Sequence, residues 1–280
     1  MLNYLNHFEL LFFILGLIVG SFLNVCIYRL PRNISIIRPS SSCPVCNTAI
    51  KPWDNIPILS YIFLKGKCRK CGERISIRYP MVELLNGILY WSVFDFFGLG
   101  WHLPFVLFFS SAMVVITFID LDFQIIPDVI TLPGIVIGII SASFLLPDPF
   151  SLQHLYPHKF QDFLGTPPSA FSLSVVGFRN SVAGLFLGGG LFYLIATLSR
   201  GGMGGGDIKL MAMVGAFMGW RAVFLTTFIG SLLGSLVGIF LMVFKGKGRK
   251  TKIPFGPFLS FGSIITLFFG GEILKWYFNA

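Results

Sequence analysis

The chain has 280 residues, of which 55 % are apolar, 16 % aromatic and only 12 % charged, and its mean hydropathy is +0.80. This composition excludes a water-soluble globule and describes a polytopic membrane protein of the all-α kind. The net charge of +9 does not imply nucleic acid, because the 21 basic residues are gathered into a few loops.

The first apolar run, residues 8–27, is long enough to cross about 30 Å of hydrocarbon at about 1.5 Å per residue. It is followed by Arg29 and lacks a small-residue cleavage site, so it reads as a retained helix, not a signal peptide. Residues 28–80 form the polar module of the chain and hold ten of the basic residues. Within it lie Cys43-Pro44-Val45-Cys46 and Cys68-Arg69-Lys70-Cys71, separated by 21 residues. Two such pairs have the spacing of a four-thiolate zinc site, each turning tightly enough to put both sulfurs on one metal. Two disulfides or a redox pair are the alternative, and the compartment decides between them. A module of about 50 residues has little core of its own and commonly needs such a staple. Cys26, at the end of the first run, reads as an apolar filler.

Further apolar runs cover residues 81–99, 103–119, 127–146, 179–198, 222–244 and 254–276, with a short one at 208–220, which predicts eight spans in all. Residues 147–177, with Pro147, Pro149, Pro157, Pro167 and Pro168, read as an external loop. His154 and His158 in that loop have helical spacing, but Pro157 stands between them and no third ligand is evident, so they make no metal site. The three basic clusters, residues 29–78, Arg200 with Lys209, and 245–252, fall on one side of the bilayer. By the positive-inside rule that side is cytoplasmic and both termini are outside. The cysteines then face a reducing compartment, which favours zinc over disulfides. The resulting division is a first helix (1–27), a cytoplasmic zinc-binding module (28–80) and a multi-helix membrane domain (81–280). Small residues recur at four-residue spacing, at Gly134 and Gly138, Gly184 and Gly188, and Gly230, Gly234 and Gly238, as expected where helix backbones approach closely in lipid.

Only twelve acids occur, and those at the inner helix ends are the strongest chemical signal, since a carboxylate at the membrane is costly. Asp120, Asp122 and Asp128 lie between the third and fourth spans; Asp207 follows Gly204-Gly205-Gly206 and opens the short sixth one. The topology allows Asp120 and Asp207 to converge on the cytoplasmic side. Two carboxylates sharing a proton provide both an acid and a base, the chemistry of an aspartic peptidase. The glycines, Gly204 and Gly206 among them, would let a substrate backbone come close. A phosphate cradle is the competing reading, but the Lys-Ser/Thr ending of a P-loop is missing. Helix polarity suggests that Asp207, at a helix start, is the ionised partner and Asp120, at a helix end, the protonated one.

Gly20-Ser21-Phe22-Leu23-Asn24-Val25, Tyr28-Arg29-Leu30-Pro31, the Cys pairs, Asn55-Ile56-Pro57, Arg78-Tyr79-Pro80 with Val82-Glu83-Leu84, the Asp120 segment and Gly204-x-Gly206-Asp207 occur in that order. In this the chain resembles the bacterial prepilin peptidases, or type IV leader peptidases, over nearly its whole length. The resemblance implies a bifunctional enzyme of the inner membrane. It would remove the basic leader of prepilins and pseudopilins and then methylate the new N-terminus, with S-adenosylmethionine as donor. It maps the catalytic pair onto Asp120 and Asp207 and gives Asp122 and Asp128 supporting roles; Asn24, Arg29 and Glu83 are candidates for the methylation step. Cys43, Cys46, Cys68 and Cys71 would then be a structural brace, since a closed four-thiolate site leaves zinc no open position for water. A peptidase without methylation, an ion-coupled transporter and a zinc-bearing membrane scaffold are the alternatives. A transporter would place its acids near the midplane, and a scaffold leaves Asp120 and Asp207 unexplained.

Overall fold

The computed structural model describes residues 2–144, 170–199, 203–245 and 253–279. The expected external loop with His154 and His158, and the basic loop at 246–252, lie outside these. The long elements are helices α1 (Leu2–Arg29), α3 (Arg78–Phe97), α4 (Leu103–Phe123), α5 (Asp128–Phe144), α6 (Ala170–Leu198), α7 (Gly205–Lys245) and α8 (Gly256–Asn279), with a short α2 (Leu59–Phe63) in the polar module. Five of them, α1, α4, α6, α7 and α8, are long and apolar enough to cross a membrane, and α5 contains a shorter apolar helix. The chain divides into two compact units: residues 1–98 with 110–115, and residues 99–109 with 116–280.

In the first unit α1 lies against α3, and glycines set the distance. A Cβ on Gly16 would meet the Asn86 carbonyl at 2.7 Å, and one on Gly20 would meet the Glu83 Cα at 2.7 Å. Gly87 answers from α3, where a Cβ would meet Leu17 at 2.7 Å. Asn86 is fully buried between the helices, donating to the Gly16 carbonyl at 2.8 Å and accepting from the Ser111 hydroxyl at 3.3 Å.

The polar module follows α1, and among the described residues its only β-pairing is two isolated antiparallel bridges, Ser42 with Ala49 and Lys67 with Arg74. Each bridge closes one Cys-x2-Cys loop. In the first loop the Asn47 N–H donates to the Cys43 carbonyl and the Cys43 N–H to the Thr48 carbonyl; in the second Gly72, Cys68 and Glu73 take the same places. Asn47 and Gly72 both adopt positive φ, 53° and 72°. The loops are thus one structural unit used twice, 25 positions apart from Cys43 to Cys68.

In the second unit, α5 and α6 close on the first arm of α7. A Cβ on Gly138 would fall 2.8 Å from the Phe217 ring, and Gly184 and Gly188 lie directly on the backbone of Gly215 and Met211. The stripes at Gly134 and Gly138 and at Gly184 and Gly188 therefore do the close packing expected of them, whereas Gly238 of the third makes only an ordinary 3.7 Å contact. Gly219, at φ 78° and ψ 179°, breaks α7 into arms of residues 205–218 and 220–245. Most side chains of the first arm from Leu210 to Met218 are buried, Met211, Met213 and Met218 among them, so this short segment is surrounded by protein.

Candidate active site and four-cysteine centre

The second unit brings the two leading acids together. Asp120 occupies the last turn of α4, where its carbonyl accepts the N–H of Gln124, a left-handed residue (φ 54°) that ends the helix. Asp207 stands in the first turn of α7, and its N–H donates to the Gly204 carbonyl at 3.2 Å. The two carboxylates are close enough for the charge of Asp120 to act on Asp207. Asp120 is only 5 % exposed, and Asp207 is half-buried. Gly206 makes the approach possible: a Cβ there would meet the Ile126 Cβ at 2.8 Å, so the chain after Asp120 packs directly on the turn before Asp207.

The other acids of this region do not share the pair's geometry. Asp128 turns to Lys209, whose Nζ lies 2.7 Å from both carboxylate oxygens and ties the start of α5 to the start of α7. Both side chains of that pair are exposed. Asp122 is exposed and has interactions of its own. Gly204 is exposed beside the Asp207 carboxylate. Two partners escaped sequence reasoning. Lys209 was visible only as a basic residue, and Gly256, whose N–H donates to Asp120 Oδ2 at 2.9 Å, carries only the weak signal of a glycine before the proline of a helix start. Gly256 also qualifies the helix-polarity argument: counting only each acid's own helix omits the N-terminus of α8, which meets Asp120.

In the first unit Cys43, Cys46, Cys68 and Cys71 converge, all four sulfurs within 4.8 Å of one another. Cys43 and Cys71 are 3.8 Å apart and Cys46 and Cys68 3.9 Å. Zn–S bonds of about 2.3 Å in a tetrahedron demand S–S edges of about 3.8 Å, close to both of these separations, so the cluster has the size to hold a zinc ion. The thiols are also prepared as ligands. Thr48, through its hydroxyl and then its backbone, lowers the Cys46 thiol to about 6. The backbone N–H groups of Cys71 and Lys70 lower Cys68. Cys71 has a Glu73 backbone bond that lowers it, yet desolvation and the other three sulfurs push it up to about 12. Arg69, inside the second loop, forks onto Asp54 with contacts of 2.6 to 3.0 Å; its hydrogen bond and charge hold the Asp54 carboxyl below the ordinary range.

Asn24, Arg29 and Glu83 also lie in this unit, at the ends of α1 and α3. Asn24 donates to the Tyr79 carbonyl at 3.0 Å, and Arg29 donates to the Ser35 and Pro39 carbonyls, both at 2.8 Å. Glu83 accepts the Ile58 N–H at 2.8 Å, at a residue with φ 59° that a β-branched side chain rarely adopts. Each of the three thus has a backbone partner: Asn24 joins α1 to the start of α3, and Arg29 and Glu83 clamp the polar module to the helices. These contacts do not by themselves form a receptor for a methyl donor.

A helical membrane chain with a four-cysteine module and a facing pair of acids on adjoining helix ends is the class that fold and site define. The profile of the type IV leader peptidase family matches residues 107–239, and that of the bacterial peptidase A24 N-terminal domain matches residues 14–97. The prepilin leader peptidase/N-methyltransferase of Pseudomonas aeruginosa is 32 % identical over 305 residues, which cover 99 % of this chain and 97 % of that protein. The protein of that name from Legionella pneumophila is also 32 % identical, covering 99 % and 96 %. The one from Myxococcus xanthus is 38 % identical over 251 residues, covering 88 % and 67 %. No solved structure matches significantly. The chain belongs to the type IV leader peptidase family.

Proposed function

We propose that the protein is a membrane-embedded aspartic endopeptidase that removes the leader of prepilins and pseudopilins and then N-methylates the new terminus. The observation that carries the proteolytic part is the meeting of Asp120 and Asp207 from two helix ends in a chain of this family. One carboxylate takes a proton from water as it attacks the scissile carbonyl; the protonated partner donates to the carbonyl oxygen. Gly204 leaves room for the substrate backbone, Gly206 lets the turn before Asp207 pack on Ile126, and Asp128, through Lys209, ties the start of α5 to the start of α7, which carries Asp207. Asp122 has a supporting place beside it.

Methylation is supported by the names of the relatives, and such a reaction draws its methyl group from S-adenosylmethionine. Asn24, Arg29 and Glu83 hold the module from which this step would work. Cys43, Cys46, Cys68 and Cys71 would hold structural zinc. Counting both arms of α7 with α3 and α5 gives eight spans, so the acids face the cytoplasm, the termini lie outside and the enzyme sits in the inner membrane beside the membrane-embedded apolar helix of its substrate. In this reading the module is 28–80 and the peptidase domain 81–280.

The test is incubation of the purified protein with a prepilin peptide in detergent, with and without S-adenosylmethionine, following both peptide ends by mass spectrometry. Cleavage is expected in both arms and methylation only with the donor. Asp120→Ala and Asp207→Ala should each abolish cleavage; a variant that still cleaves would remove that residue from the mechanism.

A further inference from the structure

The last helix supplies the acidic pair with a group that carries no charge. Gly256 is the first residue of α8, and its N–H points at the buried carboxylate of Asp120, 2.9 Å from Oδ2. The other donors of this turn are accounted for: Pro257 has none, and Phe258 and Leu259 both donate to the Phe255 carbonyl. The contact also demands glycine for reasons of space. A Cβ at position 256 would lie 2.7 Å from Asp120 Oδ2, 3.1 Å from its Cγ and 3.3 Å from its Cβ, so any side chain displaces the carboxylate. The charged group facing Asp120 is Asp207 of α7; the first turn of α8, Gly256-Pro257-Phe258-Leu259, contributes none. Gly256 also lies beyond the stretch matched by the peptidase profile, residues 107–239.

We propose that Gly256 is a positioning residue for the acidic pair: its N–H pins Oδ2 of Asp120 and leaves Oδ1 as the oxygen that takes part in the proton transfer of the reaction. This rests on the reading of Asp120 and Asp207 as the catalytic pair. A carboxylate at the end of a helix is otherwise free to rotate about χ2, and a fixed donor selects one orientation before substrate arrives. A misplacement of about 1 Å at such a group costs about 100-fold in rate.

Two measurements on the full-length protein test it. Gly256→Ala should lower kcat for prepilin peptide cleavage by about 10- to 100-fold with KM within about twofold, because the acid moves while the substrate surface stays. Gly238→Ala, whose Cβ would make only an ordinary 3.7 Å contact with Ile253, should cleave like the wild type. A Gly256→Ala enzyme with wild-type kcat would overturn the proposal. The second measurement does not need that variant. Labelling with carbonyl-13C Phe and 15N Gly selects the four Phe-Gly amides, at Gly98, Gly256, Gly262 and Gly270. One of these amide protons should lie downfield, move upfield in Asp120→Ala and stay in place in Asp207→Ala. Four resonances indifferent to Asp120→Ala would overturn the contact even if that variant is inactive, whereas a cleaving Asp120→Ala enzyme would end the catalytic reading itself.

Discussion

Asn86 shows how much a single polar side chain can settle in a membrane protein. It is fully buried, and both its ends are used, one on the Gly16 carbonyl of α1 and one on the Ser111 hydroxyl that also meets Tyr90 at 3.0 Å. Asn86→Ala removes both and leaves the Gly16 carbonyl and Ser111 with poorer partners, at a cost of about 1–2 kcal/mol. Thermal unfolding in detergent should show the loss, with cleavage at low temperature little changed. Legibility at this scale followed rarity. Acids are few in the chain, so Asp120 and Asp207 stood out, as did the cysteines. Gly256 did not, because one glycine among 31 announces nothing until the fold brings it to a residue 136 positions earlier. Lys209 was hidden for the same reason, its partner Asp128 being 81 positions away.

At the scale of elements, the spacing of the cysteines announced a metal site, and the paired loops fit one. Their internal repeat was readable in principle, since each runs Cys-x2-Cys, then Asn or Gly, then two residues on to Ala49 or Arg74 before Ile50 or Ile75. The equivalence rests on backbone bonds, which few shared side chains betray. Cys43→Ser should release zinc and unfold residues 38–75 locally, with cleavage less affected than methylation, since the acidic pair belongs to the other unit. Metal analysis and limited proteolysis check it; a wild-type protein without zinc would overturn the site. The pH dependence has a definite sign. Cys46 is drawn down to about 6 from an ordinary 9.0 by Thr48, so its folded thiolate is favoured, and the stability this adds is complete above 9.0 and lost as pH falls through about 6. Cobalt-substituted protein should show its thiolate charge-transfer band at neutral pH and lose it on acidification, and Thr48→Ala should move that loss to higher pH. The glycine stripes are legible as packing, yet their partners are not: Gly184 and Gly188 find Gly215 and Met211, and Gly16 and Gly20 find Asn86 and Glu83 of α3. Gly188→Leu should therefore separate α6 from α7 and destabilise the protein by more than the same change at the exposed Gly190, where an added Cβ meets nothing within 4 Å.

For the whole molecule, composition settled the class, while, with α3 and α5 counted as crossings, the topology depends on one short helix. The first arm of α7, residues 205–218, reaches only about 21 Å at about 1.5 Å per residue, short of about 30 Å of hydrocarbon. Hydropathy alone could not decide whether such a segment crosses, because that rule assumes a helix facing lipid. Here most of the side chains from Leu210 to Met218 are buried in protein, so the arm need not match the bilayer. The turn at Gly219 then becomes the decisive joint. If the first arm crosses, the second returns to the cytoplasm, the basic loop at 246–252 obeys the positive-inside rule, and α8 ends outside. If it does not cross, the same loop is placed outside and the C-terminus inside, with the opening of α8 on the opposite side from the end of α4. The bond from Gly256 to Asp120 requires those two ends to share a side, which favours the crossing arm. Alkaline phosphatase fused after residue 280 should therefore be active and a green fluorescent protein fused there dark; the reverse result would make residues 205–218 re-entrant and break the eight-span topology.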